Sequence, residues 1–277
     1  WDDGTRRKFD RERTFRIVNR ITIATPQLQE LRLEARRGSL LAQRDIGRTG
    51  VLVSGPATMG KTTAAFFALL DAFRLHVERY PHWKRLHHVP VVYIELPPDC
   101  TPKSLMGRFL DFFGVTYTSR TTQEERTQIV NHQLRIARTS LIVFDELHNL
   151  ARLSNGHFSS AQAIKNMLNG IRAVPIYVGV DLEDTALVNG VLGMQFAGRS
   201  TMVKLGPLLY DSDEDRQLWA GVIHRFEEQL ALLAHPAKTP FPHAEGLWQQ
   251  TQGSIGALSR LLTLAALELI DKGDPSQ

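Results

Sequence analysis

The chain has 277 residues, 43% of them hydrophobic and 22% charged, which supports a sizeable core and excludes global disorder. A single cysteine, Cys100, excludes an intrachain disulfide framework and any CxxC zinc or redox motif, so a reduced, cytoplasmic setting is expected. The net charge of +4 permits a nucleic-acid partner without requiring one; residues 1–50 hold twelve Arg and Lys against seven acids, and the remainder is close to neutral. No apolar stretch reaches the ~18 residues needed to span a membrane, and no signal-peptide pattern opens the chain at Trp1.

Residues 1–14 are mostly charged and polar and are expected to be flexible. From Phe15 to about Gln43 apolar residues recur at helical spacing, with a break at Pro26. Val51–Ser54 is a short apolar strand ending in a glycine-containing loop, and a helix follows from Lys61 to about Tyr80. Val91–Leu96 reads as a strand bounded by prolines, Lys103–Phe113 and Gln123–Arg138 as helices, and Leu141–Phe144 as a strand buried on both faces. Ser160–Ile171 is a further helix, and Pro175–Gly179 and Thr201–Leu205 are further strands. After Pro207 the strands stop: Ser212–Leu233, Ala244–Gln252 and Ile255–Ile270 read as helices, the first with Ser212 as its cap. Strands alternating with helices imply an α/β fold with a parallel sheet covered on both faces. The expected division is a basic helical extension (1–44), an α/β core (45–206) and a helical block (207–277).

Gly55-Pro56-Ala57-Thr58-Met59-Gly60-Lys61-Thr62 matches GxxxxGK[ST] at every fixed position, with a strand before it and a helix after. Gly55 and Gly60 let the backbone wrap an anion, and the helix start, through Thr63, offers N–H groups and a positive dipole end. Lys61 reaches the β and γ oxygens of ATP, and the Thr62 hydroxyl is placed to ligate Mg²⁺. Leu141-Ile-Val-Phe-Asp145-Glu146 supplies the complement: a buried strand delivers Asp145 to the carboxyl edge of the sheet to hold the metal, and Glu146 is the candidate general base.

The residues that follow narrow the class. Asp145-Glu-Leu-His148-Asn149-Leu resembles the Asp-Glu-x-His-Asn-Leu form of this motif in TniB-type transposition ATPases, relatives of TnsC within the AAA+ superfamily. Pro90–Leu105, Val174–Gly179, Gln195-Phe-Ala-Gly-Arg199 and Gly253-Ser-Ile-Gly256 are similar to further stretches of that family. The resemblance covers roughly residues 45–270. It implies an AAA+ P-loop core, a five-stranded parallel sheet flanked by helices, with a small C-terminal helical lid. It also implies a protein that binds ATP, assembles into rings or helical filaments on duplex DNA and recruits a transposase to target DNA. By the same resemblance Arg199 is an arginine finger reaching the γ-phosphate of a neighbouring subunit. Two positions depart from the family. Val180, followed by Asp181, stands where a polar sensor is usual; Asp181 is placed to orient water, although its charge opposes the γ-phosphate. In the lid Ala257 stands where a basic residue is common, with Arg260 one turn later as a substitute. Both departures imply slow hydrolysis, with ATP acting mainly as an assembly switch.

Sequence-independent DNA binding needs cations and hydroxyls aimed at phosphates. The start of the helix after the second strand and the Tyr117–Thr122 loop qualify, and by resemblance they face the bore of the ring, with Lys103 and Arg120 as the contacts. The basic N-terminal segment is a second candidate surface. His87-His88 has no carboxylate or cysteine at ligand spacing and makes no metal site. His148 reads either as a coupler between nucleotide state and a neighbouring loop or as a structural histidine. The reading favoured is an ATP-dependent transposition regulator; a helicase loader of the DnaC/IstB kind and a DNA-independent signalling switch are the alternatives.

Overall fold

Short apolar runs bounded by turn residues pair as one parallel sheet in the computed structural model, which describes residues 2–42, 50–151, 157–185, 200–230, 232 and 238–272. The strands are β1 (Gly50–Ser54), β2 (Val91–Glu95), β3 (Leu141–Asp145), β4 (Val174–Gly179) and β5 (Ser200–Lys204), in the order β2-β3-β4-β1-β5. The strands β1, β3 and β4 are buried along their whole length, which is why they read as unbroken apolar runs. At the edge, β2 alternates: Val92 and Ile94 are buried while Glu95 is exposed. The register sets Ser54 opposite Gly179 and Lys204, and Glu95 opposite Asp145, so the carboxyl ends of the strands share one edge. Ligands bind at this edge in open α/β sheets.

The chain divides into two compact units. The sheet unit takes residues 27–57 and 61–205. Its helices are α2 (Pro26–Leu41), α3 (Lys61–Arg79), α4 (Pro102–Phe112), α5 (Gln123–Ile136), α6 (His148–Ala151) and α7 (His157–Asn169). Leu52, Ile94, Phe109, Leu134, Phe144, Ile164 and Tyr177 are buried together in its core. Capping boxes start α4 at Thr101 with Ser104 and α5 at Thr122 with Glu125.

The helical unit takes residues 1–26, 58–60 and 206–277. It contains α1 (Asp3–Arg20), α8 (Asp213–Leu230), α9 (Ala244–Thr251) and α10 (Ile255–Asp271). Ile17 and Ile23 pack in one core with Trp219, Phe226, Leu258, Leu262 and Ile270. Ser212 caps α8 as expected, exchanging hydrogen bonds with Asp215. The N-terminal residues differ from expectation: α1 begins at Asp3 rather than after residue 14. Asp2 caps it by accepting from the Thr5 N–H at 2.6 Å, and Asp10 pairs with Arg13 at 2.9 Å and Arg6 at 3.9 Å along one face. The segment reads as unstructured because its docking to this unit rests on the late residues Arg13 and Ile17, both buried. Pro26 opens α2 at its first position, where a proline costs no hydrogen bond, and residues 21–25 carry the break. Among the described residues no helix is long and apolar enough to cross a membrane.

Candidate nucleotide site

Strand β1, between β4 and the edge strand β5, points its carboxyl end into the glycine loop. A Cβ at Gly55 would lie 1.9 Å from the Leu205 carbonyl oxygen, so only glycine fits there. Leu205 N–H donates to Ser54 O at 2.8 Å, fixing the strand end from which the loop departs. Gly60, at φ +81°, supplies the left-handed backbone that turns the chain into α3. Pro56 and Ala57 are exposed, Met59 is half-buried, and Thr63 is exposed in the first turn of α3.

Lys61 and Thr62 open α3 and meet the end of β3. Thr62 Oγ1 donates to Asp145 Oδ2 at 2.8 Å. Asp145 is 3% exposed, and its other contacts are the Tyr93 hydroxyl, donating to Oδ2 at 2.8 Å, and the Glu146 N–H, donating to Oδ1 at 2.8 Å. Lys61 Nζ donates to the Pro56 carbonyl at 2.6 Å, inside the loop. Burial holds the Lys61 ammonium below its ordinary range, against the pull of Glu146, Asp145 and Asp181. The expected loop lysine and three acids are thus brought together at one edge of the sheet, Asp181 among them. Asp181 is exposed and left-handed, at φ 46°, at the start of the turn after β4.

The acidic motif is legible residue by residue. Glu146 adopts φ 57°, which turns its side chain out of the strand, and the carboxylate is 42% exposed. Leu147 N–H donates to Val178 O at 2.8 Å, tying the motif to β4. His148 Nε2 lies 3.1 Å from Glu146 Oε2, and His148 Nδ1 accepts from the Val180 N–H at 3.4 Å. A neutral imidazole with the proton on Nε2 satisfies both contacts, so His148 links the candidate base to the backbone after β4. Asn149 Nδ2 donates to Leu96 O at 2.7 Å, tying the motif to the end of β2. Gly179 admits this crowding, since a Cβ there would sit 2.6 Å from Leu182 Cδ2 and 3.2 Å from His148 N.

Three residues of this edge escape a reading of the sequence. Tyr93, from β2, stacks on Phe66 at 4.7 Å, and burial followed by its bond to Asp145 pushes its hydroxyl well above the ordinary range. Glu183 accepts from Ser54 Oγ and pairs with Lys204 at 2.9 Å, joining the ends of β1 and β5 to the turn after β4. Those bonds, Ser54 first, hold the Glu183 carboxyl down at about 2. Tyr93 carries a faint signal, a hydroxyl in an aliphatic strand. Ser54 and Glu183 carry none, because their meeting spans 129 residues.

In the helical unit, Thr58 holds φ 65° and its carbonyl accepts from Gly256 N–H at 3.1 Å and from Ser254 Oγ at 3.1 Å. Arg260 lies one turn along α10 and is exposed. Arg199 lies outside the described residues. Lys103 Nζ donates to Ser119 O at 2.8 Å, so the start of α4 and the 117–122 loop form one surface, on which Arg120 is exposed. Beneath it Arg126, 6% exposed, donates to Lys103 O at 3.2 Å and Thr118 O at 3.1 Å, with its guanidinium 4.2 Å from the centre of the Tyr117 ring. The adjacent His87 and His88 face different surroundings: His87 is exposed, while His88 Nδ1 meets His76 Nε2 at 3.0 Å in a buried contact. Among the described residues no group of three or more His, Cys, Asp or Glu is placed to hold a metal ion.

Strand order, with a phosphate loop after β1 and an acidic pair at the end of β3, makes this an AAA+ P-loop core followed in the chain by a small block of helices. In sequence, residues 14–204 match the family model described as bacterial TniB protein, and the chain belongs to that family. In structure it is similar to ORC1 of Aeropyrum pernix in complex with DNA (TM-score 0.67, 15% identity, 95% of this chain and 65% of that one). It is also similar to Aeropyrum pernix ORC2 in ADPNP–ADP complexes (TM-score 0.66, 12% identity, 92% and 65%). Cdc6p from Pyrobaculum aerophilum follows with TM-score 0.58, 15% identity and coverage of 92% and 65%. At these identities the likeness is one of fold, and the chain spans 65% of the length of each of the three. No curated protein matches the chain in sequence.

Proposed function

We propose that the chain is an ATP-dependent regulator of transposition, which binds ATP and Mg²⁺, oligomerises on duplex DNA and recruits a transposase in the cytoplasm. The observation that carries this reading is the meeting of Lys61 and Thr62 with Asp145 and Glu146 at the carboxyl edge of the sheet. Thr62 Oγ1 and Asp145 Oδ2 are hard oxygens 2.8 Å apart, a donor pair that suits Mg²⁺, which takes few protein ligands and keeps waters and phosphate oxygens. When bound, the ion would draw charge from the phosphates.

The chain's own residues do the rest. Backbone N–H groups of residues 57–63 hold the phosphates, and Lys61 binds the β and γ oxygens. Glu146, oriented by His148, takes the proton of the attacking water. Asp181 orients that water, Arg260 contacts the nucleotide, and Arg199 acts on a neighbouring subunit's γ-phosphate. Hydrolysis is slow, and ATP serves mainly as an assembly switch. Lys103 and Arg120 contact DNA phosphates without reading sequence. Membership of the TniB family supports the transposition reading, and the DNA held by ORC1 of the same fold supports the DNA reading. We assign 1–44 as a basic extension of which α1 belongs to the helical unit and α2 to the sheet unit, 45–206 as the ATPase core and 207–277 as the lid.

Electron microscopy of the full chain with a slowly hydrolysed ATP analogue, with and without duplex DNA, tests the proposal. Ordered rings or filaments on DNA that are lost in Lys61→Ala are expected. Absence of ATP-dependent assembly on DNA refutes it, and ordered assembly indifferent to DNA favours a signalling switch.

A further inference from the structure

At the opposite end of the sheet unit from the phosphate loop lies a cavity of 250 Å³ between α2 and α3, reaching Leu141 at the start of β3. Ala35, Ala68, Ala72, Leu75 and Leu141 give it apolar walls, and Leu75 is 51% exposed on its rim. Three guanidiniums surround it, Arg32, Arg36 and Arg74, against one carboxylate, Asp71. Asp71 is taken by Arg32. Arg36 and Arg74 are exposed and make no ion pair with any described residue.

We propose that this groove docks an acidic peptide segment of a partner protein, seating one apolar side chain against Ala68, Ala72 and Leu75 while flanking carboxylates meet Arg36 and Arg74. The two features select different parts of the same ligand. The cavity holds about one leucine-sized side chain, and burying such a group in place of water is favourable. The guanidinium rim matches carboxylates in planar, paired hydrogen bonds. A DNA backbone would engage the rim but leave the apolar cavity unfilled, so a peptide fits better.

Selection of a displayed library of random 12-residue peptides on the full chain tests this, followed by fluorescence anisotropy with the enriched peptides. Enriched sequences should carry Asp or Glu within one turn of Leu, Met or Phe. The double variant Arg36→Glu with Arg74→Glu should weaken their binding at least tenfold. Ala72→Leu, which fills the cavity and leaves the guanidiniums in place, should do the same. Both variants should keep the melting temperature and the affinity for a fluorescent ATP analogue. No enrichment, enriched peptides without acids, or equal binding to the variants overturns the proposal. Binding of a short duplex that the charge reversal abolishes, with no peptide bound, assigns the rim to DNA instead.

Discussion

Gly256→Ala sets helix propensity against packing, and the two give opposite signs. Gly256 is the second residue of α10, where alanine gains at most the helix-interior preference of about 0.8–1 kcal/mol over glycine, so propensity alone makes the variant more stable. The contact with Thr58 reverses this. A Cβ at residue 256 would lie 2.2 Å from the Thr58 carbonyl oxygen. A comfortable C···O approach is about 3.3 Å, so Thr58 must withdraw by roughly 1 Å. Withdrawal breaks the bonds that its carbonyl accepts from Gly256 N–H and Ser254 Oγ, both 3.1 Å. At about 0.5–1.5 kcal/mol each, their loss outweighs the propensity gain and leaves a net destabilisation of about 1 kcal/mol. A fall in melting temperature of about 2–4 °C is expected, together with several-fold weaker binding of a fluorescent ATP analogue, since Thr58 carries part of the phosphate loop. Ser254→Ala should go the same way, because it also removes the cap on Ala257 N–H. A Gly256→Ala protein that melts higher than the parent and binds ATP unchanged would refute the reasoning.

Glu183→Gln should cost about 1–2 kcal/mol at neutral pH, after discounting for a side chain that is 30% exposed. The depressed carboxyl stabilises the fold fully above the unfolded value of 4.5, and that advantage shrinks as pH falls towards about 2. Urea unfolding of both proteins at pH 7, 4 and 3 checks this, and a constant gap would exclude the ionised carboxylate as its source. Arg126→Ala should reduce duplex affinity about tenfold by freeing the 117–122 loop while leaving ATP binding unchanged, with Arg126→Lys intermediate. Unchanged duplex affinity by anisotropy would make Arg126 a purely structural residue. His148→Ala should slow hydrolysis less than the roughly 10²–10⁴-fold expected of Glu146→Gln, with ATP affinity preserved in both. A turnover equal to the parent's would remove His148 from the positioning of Glu146.

What the sequence discloses is what is encoded locally. Gly55–Thr62 is a contiguous signature, and the buried strands β1, β3 and β4 announce themselves as apolar runs. The same holds for the parallel sheet and the AAA+ class. Residues that act through distant partners stay hidden. Glu183 finds Ser54 and Tyr93 finds Asp145 only after the sheet aligns its strand ends. Arg126 left a usable trace: with Val130 and Leu134 it occupies the buried i, i+4, i+8 stripe of α5, where an arginine is out of place unless it is held, as Nη1 is by Lys103 O and Nη2 by Thr118 O. The α1 helix was concealed by its charge, because intrahelical ion pairs look the same in sequence as a solvated tail.

The placement of β1 also bears on how the protein is made. Its neighbours are β4 and β5, and β5 ends at Lys204, 154 residues after Gly50. At about 5–20 residues per second, a ribosome needs roughly 8–30 s to pass from one to the other. Through most of that interval Gly50–Ser54, with Val51, Leu52 and Val53 at its heart, is a strand without a partner on either edge. A chain halted before Val174 would therefore expose a template for wrong pairing next to the phosphate loop. Biogenesis, more than the finished fold, is where this ATP site is most exposed to failure.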